Sequence, residues 1–397
     1  MSKQNKQPLL QRPAVVGVLA SLLSIVVGLV LGFVLLVLLN PGAAVGGMRA
    51  MLATGFSSMD KLGKVLYQAA PLMMCGLSVG FAFKTGLFNI GAPGQYLMGT
   101  AASLIIALGI PSETVPAGLI WLLAFLGGAL AGAIWGAIPG MLKAFLNINE
   151  VLACIMTNWI AANLVTWVFD GSNYRNLVEN TKSAYIYKTA YNNVATPKLG
   201  LDAIFPNSQV NGGIIIAVVL AVLVYILMTK TTLGYELKAC GSNRHAARYA
   251  GINDKRNIVL SMAIAGALSG IAASLYYLSG NTEFFWATYQ SLPATGFNGI
   301  PVALLAVNHP IGVIFTGCFM SILDISGLQL TNLTAYNEYI TDVIIATIVY
   351  LSAFSLVIRM LLGGRKKRRA VPAAAETKPN PEPGPSDGGD KKGGEEA

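Results

Sequence analysis

From residue 14 to residue 39 the chain carries no charged side chain and is apolar almost throughout. The run exceeds the ~7–15 apolar residues of a secretory leader and satisfies the ~20 that cross a bilayer as a helix. It reads as a retained first membrane helix. Further apolar runs follow at 65–83, 92–109, 117–142, 150–169, 212–229, 258–280, 297–307, 311–327 and 339–362. The run 297–307 is too short to span alone, which suggests a re-entrant or broken helix. Hydrophobic residues make up 54% of the 397, enough for about ten spans. Charged residues are only 11%, and mean hydropathy is +0.60. So few charges cannot cover the surface of a soluble domain of this length, so a water-soluble enzyme is excluded. The expected fold class is an all-α polytopic membrane protein with about ten transmembrane helices.

Orientation follows from where Lys and Arg fall. With ten spans both termini share one side. That side receives Lys3, Lys6 and Arg12, then Lys84, Lys143, the basic residues of 230–257 and the cluster RKKRR at 365–369. The opposite side receives Arg49, Lys61, Lys64 and four basic residues in the 170–211 loop, while its loops near 110–116, 281–296 and 328–337 carry none. The N- and C-termini and the 230–257 loop are therefore expected in the cytoplasm. The chain divides into a cytoplasmic tail at 1–13, a transmembrane permease domain at 14–362 and a disordered cytoplasmic tail at 363–397, where Pro, Gly and charged residues leave little to bury. The loop 170–211 is expected to form an external cap. The net charge of +9 gathers beside hydrophobic spans, so it serves topology and contact with the bilayer, and no nucleic-acid partner is expected. The four cysteines form no CxxC pair, and His245 and His309 stand far apart. No metal site and no catalytic set follow from them.

Gly128, Gly132, Gly136 and Gly140 recur every four residues and line one helix face, with Gly266 and Gly270 repeating the device. Such stripes let membrane helices approach closely. Pro139 is expected to kink or end its helix. Two polar, glycine-rich stretches interrupt the apolar pattern: GLFNIGAPGQ at 86–95 and ATGFNGIPVA at 294–303. Irregular backbone inside a membrane is tolerated only where protein or a water-filled cavity covers it. Paired interruptions five spans apart point to a transport pathway and to two related halves. Candidate pathway residues are Asn89 and Gln95 in the first stretch and Asn298 in the second. Asn149 and Glu150 at the head of the fifth helix, with Thr157 and Asn158 two turns further in, complete the set.

The 230–257 loop is too rich in structural signals to be slack. Ser242 or Asn243 can cap a short helix over 244–250, and Gly251 can end it. Ala246, Ala247 and Ala250 give that helix a small face, and Arg244, His245 and Arg248 a charged one. Such a face suits docking into another protein's groove, while a helix lying on lipid is the competing reading. The small side chains favour docking.

Four ordered motifs carry a resemblance: FNIGAPGQ at 88–95, NEV at 149–151 with Met156, Thr157 and Asn158, LGYELKACGSNRHAARYAGI at 233–252, and GFNGIPVALLA at 296–306. Together they resemble the membrane subunits of bacterial ABC importers of the ribose and branched-chain amino acid permease family, most like its purine-nucleoside branch. Pro93 stands where that branch commonly has an acidic residue. The resemblance implies a subunit of the bacterial cell membrane that pairs with a second permease subunit, identical or related. It further implies cytoplasmic ATP-binding subunits and an external substrate-binding lipoprotein. ATP would be bound by the partners, and this chain would hold no cofactor and be no enzyme. The coupling helix implied by the resemblance comprises Asn243, Arg244, Ala246, Ala247 and Gly251.

The span interiors contain no Lys or Arg, and Glu150, Asp324 and Asp342 are expected near span ends. Amides and hydroxyls therefore dominate the candidate pathway, which suits a neutral, hydrogen-bonding solute. Nucleosides are expected, with sugars as the alternative and a stand-alone secondary carrier or channel as a third reading, which would not explain the structured loop at 233–252; phosphate esters would want fixed cations. Phe284, Phe285, Trp286 and Tyr289 read as interfacial anchors.

Overall fold

A computed structural model describes residues 13–170, 172–174, 194–285, 291–333 and 339–353. The tail 363–397, residues 171 and 175–193 of the 170–211 cap, and Trp286 and Tyr289 lie outside the described residues. Within them the regular structure is helical: α1 (Pro13–Leu39), α2 (Ala44–Ala53), α3 (Met59–Lys84), α4 (Ala92–Gly109), α5 (Ala117–Leu146), α6 (Glu150–Asp170), α7 (Leu201–Ile204), α8 (Gly213–Lys230), α9 (Thr232–Ser242), α10 (Arg244–Tyr249), α11 (Asp254–Tyr277), α12 (Ala294–Leu305), α13 (Pro310–Leu333) and α14 (Tyr339–Ala353). By length and composition α3, α5, α6, α8, α11 and the Pro310–Gly327 part of α13 can each cross a membrane.

The apolar runs located most helices to within a few residues, and the differences have local causes. Helix α3 starts six residues before the run at 65–83, because its first turns are polar yet well supported. Ser58 Oγ accepts from the Lys61 N–H at 3.3 Å, and Lys64 pairs with Asp60 one turn away. Helix α5 does not end at Pro139. It continues to Leu146 and stops at Asn147, whose φ of 53° is left-handed. Gly136 and Gly140 press the chain around Pro139 onto Met262, Gly266 and Val259 of α11, a neighbour that can hold a helix through a proline. Helix α13 runs past the expected end of its span. That places Asp324 well inside the helix rather than near its end, about 21 Å from Pro310 and about 14 Å from Leu333 at 1.5 Å per residue.

Helices α3 and α11 form the central pair. Of the most apolar window of α3, 89% is buried, against 22% for α5; α5 therefore lies at the periphery and turns only its glycine face inward. That face meets the glycines of α11. A methyl group on Gly132 would fall 2.9 Å from Gly270 Cα, and one on Gly136 3.0 Å from Gly266 Cα. Side chains at these positions would prevent the contact, as the stripe suggested. Polar pairs sew α3 to the α11 segment at successive levels. Tyr67 Oη bonds Ser279 at 2.9 Å and Thr282 at 2.8 Å; Ser78 bonds Ser269 at 2.9 Å; Thr85 bonds Ser261. In an apolar surround such bonds fix register as well as contributing energy.

Candidate functional site

The stretch 86–95 is built by a helix stop followed by a late restart. Helix α3 closes on Gly86, where φ is +76°: the Leu87 N–H donates to Ala82 O at 2.9 Å and the Gly86 N–H to Phe83 O at 3.2 Å. This is the glycine-terminated helix end in which both orphan carbonyls find donors. The chain then turns back along α3, with Phe88 stacked on Phe83 at 5.0 Å. Helix α4 begins at Ala92, with Pro93 in its first turn, where a missing N–H costs nothing.

Asn89 and Gln95 span this restart as a reciprocal amide pair. Asn89 Nδ2 donates to Gln95 Oε1 at 2.8 Å, and Gln95 Nε2 donates to Asn89 Oδ1 at 2.9 Å. Asn89 Nδ2 also donates to Ser78 Oγ at 3.0 Å, which in turn bonds Ser269. All four residues are fully buried or nearly so. Ser269 lies about 16 Å along α11 from Ile258 and about 12 Å from Tyr277. The network therefore sits near the middle of the apolar stretch of α11. From the other side, Asn158 of α6 reaches the same break. Its Oδ1 accepts from the Gly94 N–H at 2.9 Å, and its Nδ2 donates to Ile90 O at 3.0 Å. Thr157 is buried and bonds back to Cys154 O at 3.0 Å.

The second interruption meets the first. A methyl on Gly296 would lie 2.6 Å from Pro93 Cα, and one on Gly299 would lie 2.6 Å from the Cys75 carbonyl carbon. From there α12 follows α3 toward Lys84, with Val302 against Gly76 and Ala303 against Gly80. Helix α4 runs the opposite way, bringing Leu104 and Ala107 into one cluster with Leu278 and Phe284. Two short helices thus start back to back and run in opposite directions. Asn298 stands beside this junction, half-buried, with no hydrogen bond among the described residues.

The sequence-based candidates therefore divide. Asn89, Gln95, Thr157, Asn158 and Asn298 gather around the junction. Asn149 and Glu150 sit apart from it: Asn149 is exposed and caps α6 by accepting from the Val151 N–H at 2.8 Å, while Glu150 holds Lys143 at 2.9 Å. Ser78 and Ser269 belong to the network and were not anticipated. Nothing local marks either hydroxyl within its apolar run, and only the fold pairs residues so distant in sequence. Phe284 is buried against Phe169 and Tyr277. Phe285 is exposed.

The loop 230–257 folds much as its caps suggest, with one helix more than expected. Helix α9 occupies 232–242, then Asn243 caps α10 by accepting from the Ala246 N–H at 2.9 Å, and Gly251 follows with φ +81°. Buried Asp254 accepts from Arg244 Nε at 2.5 Å and from Arg248 Nη2 at 2.8 Å, clamping α10 to the start of α11. The hydrogen bond that Arg248 donates to the Asp254 carboxylate raises the pKa of its guanidinium above the ordinary range. The small face is not uniform. Ala246 and Ala250 are exposed, but Ala247 is buried within the chain, because it is the position that seats α10. An open groove of about 770 Å³ between α9 and α10 is lined by Tyr235, Glu236, Ala239, Asn243, Ala246 and Ala250, among others.

Residues 61–353 match the family described as the permease component of the branched-chain amino acid transport system. The guanosine ABC transporter permease protein NupP of Bacillus subtilis is 35% identical over 352 residues, 89% of this chain and 97% of its own length. The nucleoside ABC transporter permease protein NupB of Lactococcus lactis is 35% identical over 364 residues, 91% of this chain and 96% of its own. The glucose ABC transporter permease protein TsgB13 of Haloferax volcanii is 29% identical over 376 residues, covering 93% and 94%. No solved structure matches. The half-helix junction and the capped loop both fall inside the matched region, and the chain is a multi-pass membrane protein that belongs to the branched-chain amino acid transport permease family.

Proposed function

We propose that this chain forms the translocation pathway of an ATP-driven importer of nucleosides. The observation that carries the reading is the 35% identity, over nine-tenths of the chain, to two bacterial permeases named for guanosine and for nucleosides. The junction supports it chemically. Its bonded side chains are amides and hydroxyls, and such a lining suits a neutral solute that offers donors and acceptors. Asn89, Gln95, Thr157, Asn158 and Asn298 shape the pathway around the two half-helices, with Asn149 and Glu150 holding the head of α6. In the closed network Asn89 and Gln95 bond each other and Asn158 bonds the backbone of Gly94 and Ile90, so their first task is to position the break. The amide of Asn298 is left for the solute.

In this reading the chain makes about ten membrane crossings in two inversely related halves, both termini lie in the cytoplasm, and α9 and α10 present the groove to an ATP-hydrolysing subunit. Asn243, Arg244, Ala246, Ala247 and Gly251 build that docking element, Ala246 at the contact and Ala247 as its seat. A second permease subunit, an external binding lipoprotein and the bilayer complete the assembly, and ATP binds only the partner. The 29% identity to a glucose permease along nearly the whole chain favours a sugar as the second reading.

Uptake by cells expressing the complete transporter tests the choice. Labelled guanosine should accumulate, unlabelled uridine and adenosine should compete, and glucose and ribose should not. Competition by sugars alone would move the chain to the sugar reading.

A further inference from the structure

The loop rests on the turn that leads into the pathway junction, and two glycines meet there. A methyl on Gly86 would lie 2.6 Å from Gly241 Cα. One on Gly241 would lie 2.6 Å from the Thr85 carbonyl carbon and 2.7 Å from Gly86 N. Gly86 must also hold a φ of +76°, a conformation glycine adopts without strain. The end of α9 therefore rests backbone-on-backbone against the turn that ends α3, with no side chain between them to absorb a displacement.

Both sides of this contact are stiffly connected. On the loop side, Gly241 lies two residues before Asn243, which closes α9 through its N–H to Ala239 O at 3.0 Å and caps α10 with its side chain. Asn257 Nδ2 donates to Glu236 at 3.3 Å and ties α9 to α11. On the pathway side, Gly86 lies three residues before Asn89. Between them Leu87 is pinned to Ala82 O and Phe88 is stacked on Phe83. Asn89 then grips Gln95, and Gly94 is held by Asn158.

We propose that the Gly86–Gly241 contact is the relay by which movement of the docked loop reaches the half-helix junction. Resting on the coupling-loop reading above, it makes Gly86 and Gly241 positioning residues for transport. When the ATP-hydrolysing subunits close and carry α10, the end of α9 pushes or releases the Thr85–Gly86 turn. The 87–91 segment follows and shifts the start of α4 against Gly296 of α12. Coupling between linked sites is commonly worth about 5–150-fold in the linked equilibrium. A wedge at this contact should remove most of such a factor.

The direct test uses Gly241→Ala in the complete complex in proteoliposomes, with Gly118→Ala as control, since a methyl at Gly118 meets nothing within 4 Å. Basal ATP hydrolysis should persist in both. Stimulation by the loaded binding protein, and transport, should fall at least about fivefold in Gly241→Ala only. Wild-type stimulation and transport in an assembled Gly241→Ala complex would overturn the relay. A second measurement needs no variant. Hydrogen exchange of the wild-type complex, with and without trapped ATP, should change at 241–251 and at 85–95 together. A change at 241–251 with none at 85–95 overturns the relay alone; no change at 241–251 overturns the docking-loop reading beneath it as well.

Discussion

Replacing Gly132 by alanine sets two effects of known sign against each other. Alanine is the better helix former, by up to about 1 kcal/mol. Against this, the new methyl would meet the Gly266 carbonyl oxygen and lie 2.9 Å from Gly270 Cα and 3.0 Å from Gly270 N. These are backbone atoms of a buried helix, and they cannot rotate away. Overpacking of this kind costs about 1–3 kcal/mol, so the net should be a destabilisation of up to about 2 kcal/mol, with Gly132→Leu worse. Gly118→Ala in the same helix has the propensity gain without the clash and should be neutral or slightly stabilising. The assay is thermal unfolding of purified protein in one detergent. Expected shifts are on the order of 2–4 °C per kcal/mol, downward at 132 and flat or upward at 118. Equal shifts at the two positions would refute the close α5–α11 seam. A stable Gly132→Leu with altered substrate preference would make that face part of the pathway instead.

Asn89→Leu should leave the Gln95 amide unpaired in the interior, at about 1–3 kcal/mol, while Ser78 keeps its bond to Ser269. A thermal-stability cycle of Asn89→Ala and Gln95→Ala should be strongly non-additive, and simple additivity would show that the amide pair is not formed. Asp254→Asn should loosen both arginine contacts of α10, so limited proteolysis should cut between 244 and 253 faster than in wild type; an unchanged cutting rate would count against the clamp. Asn298→Ala should raise the apparent KM for nucleoside with little change in thermal stability, whereas a matching loss of stability would assign Asn298 to packing.

Much of this architecture is legible in the sequence because membrane helices announce themselves locally. Uncharged runs locate them, the four-residue spacing of Gly128 to Gly140 locates one seam, and Asn243 with Gly251 brackets α10. Both interruptions are visible as glycine and asparagine where apolar residues belong. What they meet is not. The pairing of Asn89 with Gln95 requires the chain to turn back after Gly86, and Ser78 with Ser269 or Gly86 with Gly241 requires α3 to lie against distant segments. Burial is equally non-local: Ala246 and Ala247 look alike in sequence, yet only Ala247 is enclosed. Helix α2 carries no long apolar run to reveal it, and Asp324 looked terminal only because the apolar run stops before α13 does.

In this reading the chain carries neutral nucleosides across the membrane when a partner hydrolyses ATP. Proteoliposomes holding the complete complex test it most directly, with labelled guanosine, uridine, ribose and guanosine monophosphate each presented with the binding protein. Guanosine and uridine should enter only with ATP on the hydrolysing side, and the monophosphate should be refused because the junction's bonded side chains are amides and hydroxyls, with no Lys or Arg among them to receive it. Efficient entry of the monophosphate, or nucleoside uptake that continues without ATP, would contradict the account.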